Sequence, residues 1–160
     1  LAPDLNVPPF EADRIISETI EREGTQGLSV VGSSLGGFWA ARAAVRYGLR
    51  CALLNPCFNP WVFVAAHTGV QTVFGTNRTV DVKASAADEL RALAQAVSPL
   101  AVAPERTLVV LGTADETLDW RAGAKAYAAC RQVILPGEDH RISRIESVMP
   151  RIMDFLLEED

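Results

Sequence analysis

The sequence has 160 residues, 49% of them apolar and 22% charged, with a formal net charge of −5. This length predicts about one domain, large enough to bury roughly 68–70% of its unfolded surface, and the apolar content excludes a disordered chain. No apolar run approaches the ~18–20 residues of a membrane-spanning helix, and net acidity argues against a primary nucleic-acid binder.

In chain order the patterning alternates between helix-length segments and short apolar runs. Phe10 to Glu23 reads as an amphipathic helix, with Ile15, Ile16, Thr19 and Ile20 on one side and Glu18, Glu21 and Arg22 on the other, ended by Gly24. Leu28 to Val31 is a first apolar run, ending in Gly32. Leu35 to Tyr47 is a helix stopped by Gly48; its only charges are Arg42 and Arg46, so it is expected to be largely buried. Cys51 to Leu54 is a second run, halted by Asn55-Pro56. Thr107 to Leu111 is a third, ending in Gly112. Leu118 to Cys130 reads as helix, Gln132 to Leu135 as a fourth run ended by Pro136-Gly137, and Ile142 to Glu158 as a final helix with Pro150 as a kink or break.

The runs are uniformly apolar rather than alternating, which suits strands buried on both faces of a parallel sheet. Helix-length spacers between them argue for βα units. The expected fold is therefore α/β, a mostly parallel sheet between helix layers, as a single domain over residues 1–160. Residues 56–105 break the rhythm. A ~50-residue excursion between strands exceeds ordinary connections and reads as a cap-like or lid-like insertion, with ordinary crossover helices and long loops as the alternative. Within it, Ser85 looks like a helix start, with Asp88 standing where a capping box has Glu or Gln.

Open parallel sheets bind ligands beyond the carboxyl ends of their strands. Those ends carry Gly32-Ser33-Ser34-Leu35-Gly36-Gly37, Asn55-Pro56, Gly112-Thr113-Ala114-Asp115 and Pro136-Gly137-Glu138-Asp139-His140. The first loop fails the dinucleotide fingerprint, because Ser34 stands where the second glycine belongs. It fails the phosphate-loop pattern because Phe38 and Trp39 follow Gly37 in place of Lys and Ser or Thr. It fits G-x-S-x-G in a strand–turn–helix context, with an acid and a histidine downstream in the order Ser…Asp…His. Gly36 and Gly37 are expected to keep the approach to the sheet clear.

The chemistry follows from the residue types. A serine hydroxyl is a poor nucleophile until a base takes its proton. His140 is placed to accept it and return it to the leaving group, with Asp115 fixing the imidazole. The Leu35 backbone N–H, at a helix N-terminus, is the expected oxyanion donor. His67 in the insertion is a weaker rival base, more simply a solvated or packing histidine. Asp119 and Asp139 compete with Asp115, and Glu116 and Asp119 read more simply as solvent-facing or helix-end charges. Three cysteines, Cys51, Cys57 and Cys130, have no metal-like spacing and read as thiols of a reducing cytosol, with a Cys51–Cys57 disulfide as an alternative.

Taken together, the Gly32–Gly37 loop, Asn55-Pro56, the stretch from Gly112 to Trp120, the stretch from Ala126 to Gln132, Gly137, His140 and Asp154-Phe155-Leu156 resemble the YqiA-type esterases, small bacterial members of the α/β-hydrolase superfamily. The likeness covers nearly the whole chain. It implies hydrolysis of carboxylic esters or thioesters by a serine triad, without metal or cofactor. Carried over residue by residue, it falls on Ser34, Asp115 and His140. Two departures stand out. The family has Gly-Gly-x-His followed by an aromatic, where this chain has Gly137-Glu138-Asp139-His140-Arg141-Ile142. The family also begins with a strand and a His-Gly loop that donates a second oxyanion N–H. This sequence starts at Leu1, in the Pro-Asp-Leu stretch beyond that unit, so it is expected to be a fragment or to lack its recorded N-terminus. One oxyanion donor is worth roughly 10²–10³ in kcat.

The leading expectation is a serine esterase or thioesterase for a small-molecule acyl substrate, with Trp61, Phe63 and Phe74 as candidates to line an acyl pocket. Nucleic acid, a membrane span and a metal are not expected. A non-catalytic hydrolase-like binding module, and an acyltransferase using the same residues, are the alternatives.

Overall fold

A computed structural model describes residues 1–73 and 76–158. In chain order the elements are α1 (Pro9–Glu23), β1 (Ser29–Ser33), α2 (Leu35–Tyr47), β2 (Arg50–Leu54), α3 (Pro60–Ala65), β3 (Gly69–Thr72), β4 (Thr79–Val82), α4 (Ser85–Ala96), β5 (Thr107–Gly112), α5 (Trp120–Ala126), β6 (Arg131–Leu135) and α6 (Ile145–Leu156). They fall into two compact units. One comprises Leu1–Gln26 with Asn59–Ser98, the other Gly27–Phe58 with Pro99–Asp160.

The second unit holds a four-stranded sheet of order β1-β2-β5-β6, parallel throughout. The expected uniform burial is realised in its centre: every residue of β5 is buried, as is β2 from Arg50 to Leu53. Alternation divides these strands between two apolar cores. Cys51, Leu53, Val109 and Leu111 face Ala40, Ala41 and Ala44 of α2 together with Tyr127. Ala52, Leu108 and Val110 face Val148, Ile152 and Phe155 of α6. Helices therefore cover both faces, the arrangement that parallel sheets require. Helix α2 is buried from Gly37 to Ala44, including Arg42, whose guanidinium lies 5.8 Å from the centre of the Phe38 ring.

Two helices are shorter than their sequence patterns predict, for local reasons. The expected helix from Leu118 begins only at Trp120. The Asp115 carboxylate captures the N–H groups of Thr117 and Leu118 at 2.8 Å each, and Asp119 then caps the helix by accepting from the Arg121 N–H at 3.0 Å. This is ordinary competition of aspartate side chains with backbone for backbone donors. The helix expected from Ile142 starts at Ile145, because Ile142 has a left-handed φ of 54° and belongs to the preceding loop. Pro150 lies inside α6, which continues through it.

The first unit contains α1, α3, α4 and an antiparallel hairpin, β3 with β4. The hairpin is absent from the sequence reading: four-residue strands such as Gly69–Thr72, with Val70 72% exposed, carry too little apolar alternation to announce themselves. The capping box proposed at Ser85 does not form. Ser85 is already helical, its hydroxyl donates to Glu89 at 3.2 Å, and Asp88 pairs with Arg91. Gly24 closes α1 as expected, its N–H reaching the Ile20 carbonyl at 2.9 Å. Among the described residues no helix is long and apolar enough to cross a membrane.

Candidate active site

The turn between β1 and α2 is dictated by space. A Cβ on Gly32 would lie 2.0 Å from the Gly36 carbonyl oxygen, and one on Gly37 would lie 2.8 Å from Cβ of Pro56. Only hydrogen fits at either place. Gly36 is different, since a Cβ there meets nothing within 4 Å, so the expectation that both glycines clear the approach holds only for Gly37. Between them Ser34 adopts φ 53° and ψ −121°, a conformation that ordinary residues avoid. The strain is held by three backbone bonds: the Ser34 N–H donates to Leu54 O at 3.0 Å, and its carbonyl accepts from Gly37 and Cys57 at 2.9 Å each. The turn thus presents Ser34 at the carboxyl end of β1. It leaves Leu35 as the first residue of α2, whose N–H has no carbonyl one turn back within the helix.

The loop after β6 brings His140 to the same edge. Its Nε2 lies 2.9 Å from Ser34 Oγ, and its Nδ1 lies 2.9 and 2.8 Å from the two Asp115 oxygens. The Asp115 side chain is 1% exposed and that of His140 17%. The tautomer follows from the partners. A carboxylate only accepts, so Nδ1 donates to it, and neutral Nε2 is left to accept from the serine hydroxyl. Asp115 itself is fixed by the N–H groups of Thr117 and Leu118 already described. Three residues separated by up to 106 positions therefore form one hydrogen-bonded line, joining the ends of β1, β5 and β6.

The rival residues are engaged elsewhere. His67 is exposed, stacks on Phe63 with ring centres 4.1 Å apart, and bonds the Phe63 carbonyl at 2.7 Å. Asp119 is the α5 cap. Asp139 accepts from the Ser143 hydroxyl at 2.6 Å and the Ser143 N–H at 3.0 Å; these bonds lower its pKa. Glu138 is buried and paired with Arg144. The two acids beside His140 thus have their own partners. Trp61 and Phe63 lie on α3, in the other compact unit, and Phe74 lies outside the described residues. Cys51, Cys57 and Cys130 form no disulfide, and among the described residues no group of three or more His, Cys, Asp or Glu side chains could hold a metal ion.

Sequence reasoning missed two neighbours. Glu116, read as a solvent-facing charge, is exposed yet accepts the His140 backbone N–H at 3.0 Å. Asn55, read as a strand stop, is 1% exposed, and its side chain bonds Gly112, Asp139 and His140. The described non-glycine residues with positive φ are Ser34, Asn55 and Ile142. All three stand at or next to this cluster, where strained backbone tends to gather.

A parallel sheet covered on both faces, with the serine turn at its carboxyl edge, has the α/β-hydrolase fold. Solved structures share it. Est1E from Butyrivibrio proteoclasticus superposes with a TM-score of 0.65 at 19% identity, over 95% of this chain and 71% of that one. An enol-lactonase from Burkholderia xenovorans LB400 gives 0.62 at 20% identity, over 98% and 76%. A putative hydrolase from Agrobacterium vitis S4 gives 0.64 at 13%, over 92% and 69%. Residues 3–157 match the uncharacterised protein family UPF0227, the YqiA-like family, and the chain belongs to it.

Proposed function

We propose that this chain is a serine hydrolase that cleaves carboxylic esters or thioesters of acyl chains through an acyl-enzyme. The observation that carries the reading is the unbroken line Ser34 Oγ, His140 Nε2, His140 Nδ1, Asp115, with every link at 2.8–2.9 Å. In the first step Ser34 Oγ bonds to the acyl carbon as His140 Nε2 takes the hydroxyl proton, while Asp115 stabilises the imidazolium. The tetrahedral oxyanion lies toward the start of α2, where the Leu35 N–H and the helix dipole favour negative charge. Collapse expels the alcohol or thiol with the proton from His140. Water then repeats the sequence: His140 takes its proton, its oxygen bonds to the acyl carbon, and Ser34 leaves reprotonated with release of the acid.

A fluorophosphonate probe should label the wild-type protein at Ser34 and leave Ser34→Ala unlabelled. Hydrolysis of p-nitrophenyl esters should fall by about 10⁴-fold or more in Ser34→Ala. Undiminished turnover by that variant would sink the reading. A series of esters and acyl-thioesters of increasing chain length identifies the preferred acyl group. Run on Trp61→Ala and Phe63→Ala, it also tests the assignment of these aromatic residues to acyl contact, which predicts KM rising most for the longest chains.

A further inference from the structure

The line of three side chains leaves open what holds the base in place. His140 sits on an irregular loop whose own turn ties the Asp139 carbonyl to the Ile142 N–H at 3.1 Å, while the N–H and carbonyl of His140 itself are held by side chains from elsewhere in the chain. Two side chains do this from opposite sides of the same peptide segment. The His140 N–H donates to Glu116 Oε2 at 3.0 Å. The His140 carbonyl, and that of Asp139 before it, accept from Asn55 Nδ2 at 3.0 Å each. The Asn55 Oδ1 accepts from the Gly112 N–H at 2.8 Å, at the end of the strand that leads to Asp115.

The Asn55 amide has no second solution. Rotating it by half a turn would set its NH₂ against the Gly112 N–H and its oxygen against two carbonyls, replacing three bonds by three repulsions. Its backbone is equally committed: φ is 40°, and its N–H donates to Val110 O at 2.8 Å. Asparagine tolerates that left-handed conformation better than most side chains. Being fully buried, it also has no water to substitute for a lost partner. One side chain thus locks the end of β2 to the end of β5 and to the loop after β6.

We infer that Asn55 and Glu116 are positioning residues, which together clamp the His140 backbone so that Nε2 meets Ser34 and Nδ1 meets Asp115. The inference rests on the reading of Ser34, His140 and Asp115 given under Proposed function. A clamp acts on the rate of the proton transfers rather than on substrate affinity, and displacement of a reacting group by about 1 Å can cost about 10²-fold.

The test uses steady-state ester hydrolysis by purified full-chain variants, with folding checked by circular dichroism. Glu116 is exposed, so its variants are expected to fold. Glu116→Ala should lower kcat by about 10-fold with KM nearly unchanged, and Glu116→Gln, which keeps an acceptor oxygen, should recover most of the loss. Asn55→Gly keeps the left-handed backbone and removes the amide; Asn55→Asp keeps the shape but aims a carboxylate at two carbonyls. Both should lower kcat by about 10²-fold, again with KM nearly unchanged. Wild-type kcat in Glu116→Ala, or a Glu116→Gln variant no better than Glu116→Ala, overturns the role of Glu116. Wild-type kcat in either Asn55 variant, or failure of both to fold, overturns that of Asn55. If instead Ser34→Ala turns over like wild type, the reading of the site fails and the clamp falls with it.

Discussion

The two compact units use the same residue types for different ends. In the sheet unit glycine supplies conformation at Gly27, Gly48 and Gly137, whose φ is positive, but it also supplies space: Gly32, Gly37 and Gly112 each stand where a Cβ would lie within 3 Å of another segment's atoms. In the helix–hairpin unit, glycine supplies conformation: Gly24 and Gly69 have φ of 79° and 91°, with nothing within 4 Å of an added Cβ. Polar contacts divide in a similar way. The sheet unit joins Asn55 to Asp139 and Ser34 to His140 across 84 and 106 positions. The other unit relies on exposed pairs four residues apart or fewer, such as Arg14 with Glu18 and Arg91 with Asp88. Its long-range ties, Phe10 to Glu89 and Arg78 to Asp4, are also exposed. Precision is built where segments distant in sequence must meet at one point.

The sharpest break of this contrast is substitution at glycine. In Gly32→Ala the new methyl meets the Gly36 backbone, so α2 must leave the strand end. The expected loss exceeds about 4 kcal/mol, beyond what most single changes cause. Gly24→Ala meets only its own backbone preference and should lose about 1–3 kcal/mol. Gly36→Ala, with open space around it, should be neutral or gain about 0.5–1 kcal/mol from helix propensity. Urea unfolding curves rank the three, and a Gly32→Ala protein as stable as Gly24→Ala would remove the distinction between space and conformation.

The same division decides what the sequence reveals. Short apolar runs ended by turn residues mark all four strands, most plainly the central β2 and β5, where burial on both faces leaves little room for polar residues, while the edge strands β1 and β6 stay partly exposed. Ser34, Asp115 and His140 are legible because each follows such a run, and the structure brings them within hydrogen-bond reach of one another. The shortening of α5 is hidden, since nothing in the composition of Leu118 to Cys130 says that Asp115 takes the N–H groups that would start it. Asn55 and Glu116 are hidden for a related reason: their partners are backbone atoms of a loop far along the chain, and backbone carries no signature. The nearest signal for Asn55 is an asparagine, rather than a glycine, ending a buried strand. The hairpin β3–β4 is illegible because its strands are short and partly exposed.

Alkaline pH should sharpen the contrast at an intermediate scale. Burial pushes the Cys51 thiol from its ordinary value of 9.0 up to about 11, and raises the Tyr127 hydroxyl as well. Both groups belong to the sheet unit. In each the folded state holds its proton more tightly than the unfolded chain. The associated stability is therefore complete below pH 9 and is lost as pH climbs toward 11, where the unfolded thiol ionises and the folded one does not. For Cys51 the difference amounts to about 2–3 kcal/mol. Urea midpoints should accordingly fall between about pH 8 and pH 10.5, and fall less in Cys51→Ala; an equal fall in both proteins would exclude the thiol as the cause.

At the small end stand the exposed pairs of the helix–hairpin unit. Arg14 and Glu18 approach to 2.7 Å, but their side chains are 58% and 57% exposed. Water screens the attraction, and holding two long side chains together costs entropy. The order is also the weaker one for a helix, with the cation N-terminal to the anion. A double-mutant cycle with Arg14→Ala and Glu18→Ala should give a coupling of about 0.2–0.5 kcal/mol, reduced further at about 1 M salt, where screening acts over ~3 Å. A bond of similar length binds Gly112 to buried Asn55, where no solvent replaces a lost partner. A coupling above about 1 kcal/mol at the Arg14–Glu18 pair would mean that exposure does not separate the two units' polar contacts. A coupling within the expected range leaves burial, rather than bond length, as the property that makes a polar contact decisive here.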